Sequence, residues 1–259
     1  MRRLAPLALL LPCLAAAQSD LVGKDRFPEF RTFSALPGCT FGIDESGRIT
    51  HLGAMGISTP VAHSLGRDQW AFGVGNTSLR GSLRFFKDRN GLADGTGWGM
   101  TGFTTPYGNF TVGGMILSTK RDSVLNLQFT PKTEWDNVEV AVGVQDAFST
   151  GGSSGEAIDL PNGGGNSRSF YAAATVKLWE GAYGTLGAGT RRFEGVFGNF
   201  SFNVHPRVKL VVENDTFNWN YGASLRLGEA KVAGRTVTGN LFLGQIRGKY
   251  WTWAVNLGF

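Results

Sequence analysis

The sequence predicts an all-β protein: a transmembrane, antiparallel up-and-down β-barrel of about 12 to 14 strands with both termini on the periplasmic side. Three observations predict it. The chain opens like an exported protein, its body alternates apolar and polar residues with period two, and its last nine residues form an unbroken amphipathic strand.

The opening comes first. Met1-Arg2-Arg3 is followed by an apolar stretch from Leu4 to Leu14 and then Ala15-Ala16-Ala17, the charged start, short apolar middle and small-residue exit of a secretory signal peptide. The apolar stretch is too short to span a bilayer as a helix, so cleavage is expected after Ala17. Cys13 leaves with it, Pro12 being a poor neighbour for lipid attachment. Cys39 is then the one cysteine remaining, so no disulfide within the chain is available, and it is expected as an unpaired thiol in a loop. Arg2 and Arg3 also leave, lowering the formal charge of +5 by two.

Composition narrows the class. The 38 glycines and 19 phenylalanines accompany only 42% hydrophobic residues, and mean hydropathy is −0.08. No later run reaches the ~18 apolar residues of a helical span. A closed barrel, whose alternating strands average to neutral hydropathy, is the membrane architecture left. Basic residues are scattered among acids with no aromatic-interleaved patch, which argues against nucleic acid.

Residues 18–48 are polar, broken by Pro28 and Pro37, and read as a periplasmic lead-in or a lumen plug, with the barrel itself over 49–259. Strands are then expected at 50–57, 69–76, 78–87, 96–104, 108–117, 122–131, 137–146, 168–178, 183–191, 195–204, 207–215, 217–227, 236–245 and at the end. In 217–227, for example, Phe217, Trp219, Tyr221, Ala223, Leu225 and Leu227 oppose Asn218, Asn220, Gly222, Ser224 and Arg226. Strand direction must alternate, and that tests the assignment. With periplasmic termini the Gly-rich stretch Ser149 to Ser167 falls outside, while the short Asn76-Thr77 and Pro106-Tyr107 turns fall inside. Gly228 to Arg235 is long for a periplasmic turn and Asp215-Thr216 short for an external one, which leaves twelve strands open.

A secreted sandwich or soluble barrel also alternates. Aromatic residues at strand ends favour the membrane: Trp70, Trp98, Tyr107, Phe129, Trp179, Tyr183, Phe217, Trp219 and Trp251 suit interfacial girdles. The final strand places Trp251, Trp253, Val255, Leu257 and Phe259 on one face and Thr252, Ala254, Asn256 and Gly258 on the other. It resembles the terminal assembly signal of bacterial outer-membrane proteins, which implies outer-membrane lipids and the barrel-assembly machinery as partners.

Arg80, Arg84, Glu139, Lys177, Arg207, Lys209, Glu213, Asp215 and Arg226 fall on the polar faces and mix both signs, the expectation for a lumen ion-pair network, since a charge facing lipid is costly. No catalytic, cofactor or metal site is expected. The three histidines, His51, His63 and His205, are dispersed, and His63 and Ser64, adjacent on a strand, would point to opposite faces. Gly184-Thr185-Leu186-Gly187-Ala188-Gly189 lacks the strand-to-helix setting of a nucleotide loop.

One stretch carries a family signal. Gly53-Ala54-Met55-Gly56-Ile57-Ser58-Thr59-Pro60-Val61-Ala62 resembles the opening G-x-x-G-[LI]-x-x-T-P-x-A pattern of YjbH-like exopolysaccharide-associated outer-membrane proteins, with one residue fewer before Thr59. Ala141 to Asp146, Tyr171-Ala172-Ala173, Gly187 to Gly189, Phe193 to Gly198 and Glu213-Asn214-Asp215 follow in the same order. The resemblance implies a non-enzymatic barrel assisting production or export of a surface polysaccharide, with polysaccharide and export-system lipoproteins as partners. A general diffusion porin and a rim-located envelope enzyme are the competing expectations.

Overall fold

A computed structural model describes residues 34–78, 93–117, 123–149, 168–248 and 250–259. The expected signal peptide, Arg80 and Arg84, and nearly all of the 78–87 segment lie outside them. Twelve strands run in order: β1 (Trp70–Ser78), β2 (Ala93–Thr105), β3 (Gly108–Leu117), β4 (Ser123–Pro131), β5 (Val138–Gln145), β6 (Ser169–Trp179), β7 (Ala182–Gly189), β8 (Gly195–His205), β9 (Val208–Asn214), β10 (Trp219–Val232), β11 (Arg235–Ile246) and β12 (Tyr250–Gly258). Each pairs antiparallel with its sequence neighbours, and β1 pairs with β12, so the ladder closes into a barrel with no free edge.

Alternation drives this. Along β12, Thr252, Ala254, Asn256 and Gly258 are buried inside while Trp251 and Leu257 are exposed outside. The outer face is an apolar belt that includes Val74, Val142, Leu225 and Leu243. Aromatic side chains rim it at both ends. Trp70, Tyr107 and Trp179 stand at the end that carries Trp70 and Phe259, here the terminal end, and Phe170 and Trp251 at the opposite end. Two residues expected in the girdles turn inward instead. Trp98 is buried and stacks on Phe41 at 5.3 Å, and Tyr183 is buried beside His63. Glycine decides this for Trp98: a Cβ on Gly73, its register partner, would lie 2.3 Å from the indole.

The expected strand at 50–57 is not part of the ladder: those residues belong to an internal segment that also includes residues 34–49 and 58–69. Ser78 lies in β1, which is hydrogen-bonded directly to β2, and the rest of the expected 78–87 strand falls outside the described residues. Asn76 and Thr77, expected as a turn, lie within β1. Without 50–57 as a strand, 69–76 runs opposite to the expectation, away from the terminal end, while the strands from β2 onward keep their expected directions. The terminal end therefore carries the turns Pro106-Tyr107, Glu180-Gly181, Pro206-Arg207 and Ala233-Gly234, and the opposite end carries the long 146–168 connection. Most of Gly228 to Arg235 is strand: β10 and β11 run on past a bulge between Arg226 and Gly228 to a two-residue turn.

Candidate functional site: a lumen filled by the chain's own segment

The lumen is occupied by residues 34–69. They fold back on themselves, with Ile43 and Ala54 exchanging both backbone bonds and Thr40 N donating to Gly56 O at 3.0 Å. Their apolar side chains Phe41, Ile43, Met55, Ile57 and Leu65 form one core with Trp98, Met100, Met115, Val211 and Phe242 from the wall.

A segment this irregular leaves backbone groups without ladder partners, and a buried one left unpaired costs about 1–3 kcal/mol. The inward side chains of the wall supply the partners. Asn126 donates to Ser34 O, Asn256 to Thr40 O, Gln128 to Val61 O and Thr130 to Ala62 O. Thr111 accepts from Leu65 N, Thr175 from Ala62 N and Ser201 from Met55 N. The polar inner faces of β3, β4, β6, β8 and β12 thus act as a hydrogen-bonding lining fitted to the segment.

The strongest contact is at Glu213 on β9. Successive amides of Ile57, Ser58 and Thr59 converge on its carboxylate at 2.7–3.0 Å, a nest of the kind that binds anions. The hydroxyls of Ser58 and Thr59 donate at 2.8 and 2.7 Å, and Asn220 Nδ2 adds a sixth donor at 3.2 Å. Arg192 completes the site from a short 3-10 turn, Arg191–Phe193: its guanidinium donates to Ser58 Oγ and to the Asp215 carbonyl, both at 3.0 Å. Asp215 itself accepts from the amides of Phe217 and Asn218 and fixes the β9–β10 turn. Arg192 carries no periodic signal, because it stands in a turn between strands.

The remaining predicted charges divide. Lys177 pairs with Glu45 of the internal segment at 3.0 Å and with Glu180 at 3.4 Å. Lys209 is fully buried, donates to Gly181 O at 2.8 Å and lies over the Tyr183 ring. Glu139 is partly buried on β5, and Arg226 pairs with Glu229 across the β10 bulge. Arg207 is not in the lumen but in the exposed Pro206-Arg207 turn. In place of a wall-to-wall ion-pair network, Glu213 and Lys177 bind the internal segment, which occupies the space such pairs would cross, while Lys209, Asp215 and Arg226 bond locally within the wall.

His63 and Ser64 are bound up in the same anchoring: His63 Nδ1 lies 2.9 Å from Ile43 O, and Ser64 N donates to Thr130 Oγ1. His205 accepts from Arg207 N in the exposed turn. His51 is buried near Asn240, Lys209 and Arg226, and burial first, then those cations, push its pKa down to about 4. Cys39 is buried rather than looped out, 2.9 Å from Ser34 Oγ, and burial pushes its thiol up to about 12, so it stays protonated.

No protein-family model matches the chain. No curated protein matches it either. Among solved structures the chain is similar to the outer membrane protein Omp33 of Acinetobacter baumannii, at 9% identity and a TM-score of 0.39 over 74% of this chain and 96% of that one. The barrel assignment rests on this chain's own closed ladder, not on that likeness.

Proposed function

We propose that this protein is an outer-membrane barrel that works as a closed, internally anchored body, exported by a cleaved signal peptide and assisting production or export of a surface polysaccharide without a catalytic step of its own. One observation carries the closed reading: wall side chains bind the backbone of the internal segment around most of the circumference, where a diffusion channel would present them to water. The outward apolar belt between two aromatic rims supports the membrane placement. The short turns support a periplasmic terminal end.

The polysaccharide role rests on the YjbH-like resemblance. Two of the stretches that carry it, Gly53–Ala62 and Glu213–Asp215, meet in the carboxylate nest, as expected if the pattern encodes the plug and its anchor. Trp251, Trp253, Val255, Leu257 and Phe259 are then the strand presented to the assembly machinery. Deletion of the gene is expected to lower secreted polysaccharide. Refolded protein in planar bilayers is expected to conduct little. Stable, large conductance from the wild-type chain would replace this reading with a general diffusion porin.

A further inference from the structure

The ladder is uneven. β4 and β5 share three register pairs, Leu127 with Val144, Gln128 with Gly143 and Phe129 with Val142, where every other neighbouring pair of strands shares seven to eleven. Toward the opposite end Ala147 N still donates to Leu125 O at 2.8 Å. Toward the terminal end the strands fork: β4 stays in register with β3 as far as Pro131, and β5 with β6 as far as Val138.

On the inner side the fork has a crossbar. Residues 61–64 are tied to Gln128 and Thr130 on β4 and, through Ala62 N, to Thr175 on β6, spanning β5. Tyr171 of β6 reaches over β5 to donate to Gln128 at 2.8 Å, and it passes where a Cβ on Gly143 would lie 2.3 Å from its ring.

On the outer side a dent of about 590 Å³ runs from the fork across β6 and β7 to Val196 on β8. Register explains its shape: Phe129, Val142, Ala172, Ala188 and Val196 form one outward row across five strands, so small side chains lie between large ones. No polar side chain lines it. The lining side chains offer an occupant no hydrogen-bond partner, so an apolar filling fits the dent. A second barrel is convex and touches a convex wall along a line, leaving a recess unfilled. A flexible hydrocarbon chain fills it, and the dent is continuous with the belt that bilayer hydrocarbon covers.

We infer that the β4–β5 fork seats one acyl chain of a bilayer lipid, with residues 61–64 of the internal segment closing its lumenal side. The inference rests on the membrane placement proposed above. The test is full-length protein in phosphatidylethanolamine/phosphatidylglycerol vesicles carrying a phospholipid with a photoactivatable acyl chain, followed by irradiation and peptide mapping. Labelling of residues 138–145 and 169–179 is expected to exceed that of residues 235–246 by about threefold, the ratio given by a preference of roughly 0.6 kcal/mol. Ala172→Trp, or Ala188→Leu if the first fails to fold, is expected to abolish the excess. Even labelling of a barrel that still shows a heat-dependent electrophoretic shift overturns the seat and leaves the membrane reading intact. Absence of both labelling and shift overturns both. Dimers lost on Ala172→Trp, with labelling even, would assign the dent to a second copy and overturn the lipid.

Discussion

Glu213→Ala tests the anchoring of the internal segment most directly. The substitution removes one acceptor from three successive amides, Ile57, Ser58 and Thr59, and from two hydroxyls. Asn220 Nδ2 keeps Asp215 Oδ2 as an acceptor, and the two hydroxyls, still accepting from Arg192 and Asn199, lose an acceptor but can rotate toward another. The amides have no other acceptor, and each buried orphan costs about 1–3 kcal/mol. Because such costs are not additive, a total of about 3–5 kcal/mol is expected, the range for removing one partner of a buried charged contact. At about 1.4 kcal/mol per decade this shifts the ratio of seated to released segment by roughly two to three and a half powers of ten. Hydrogen exchange of residues 54–62 in refolded protein should accelerate by that factor, and bilayer conductance should rise. Glu213→Gln should be nearly as damaging, because its NH₂ would face donors. Exchange within a few-fold of wild type would refute the claim that this carboxylate holds the segment in the lumen.

The other expectations are briefer. Gly102→Val would place a Cβ 2.2 Å from Gly66 O, so the internal segment must withdraw from β2, and stability to denaturant should fall by about 1–3 kcal/mol. Deletion of Phe259 removes the bond pair it exchanges with Trp70 where the first and last strands meet, so the heat-shifted fraction in membranes should drop far more than on deletion of residues 153–165. His51 has its pKa depressed on folding, so the seated segment is favoured above the unfolded value near 6.5 and loses that advantage as pH falls toward about 4. Exchange at residues 49–53 should accelerate over that window, and His51→Asn should flatten the profile.

Period-two alternation made the strands legible wherever an outward apolar face stands opposite a packed lumen. β3 appears over the residues expected, and the closing strand, Tyr250–Gly258, turns Trp251 and Leu257 outward as read. The internal segment defeated the same rule. Gly53-Ala54-Met55-Gly56-Ile57 alternates like a strand, but its small residues serve close backbone approach in a space enclosed on all sides, where period carries no direction. Trp98 and Tyr183 show a second limit, since an aromatic near a strand end suits a girdle and a lumen core equally until its neighbours are known. Glu213 and Lys209 were placed inward by parity, yet the partner of Glu213 is a run of backbone amides, which no side-chain pattern announces. Arg207 was misplaced by a two-residue turn, a boundary shift small enough to move a charge from inside to outside.

The pairing of the first strand with the last has a consequence for how the molecule is made. Ala71 meets Gly258 in the ladder, and the chain just ahead of Ala71 leads into the interior. The wall can close only after its final strand arrives, whereas the interior chain precedes every strand and is available before any of them. The segment can therefore serve as a mandrel as well as a stopper, because its many bonds to the wall give a curling sheet a surface to form against before the last seam is joined.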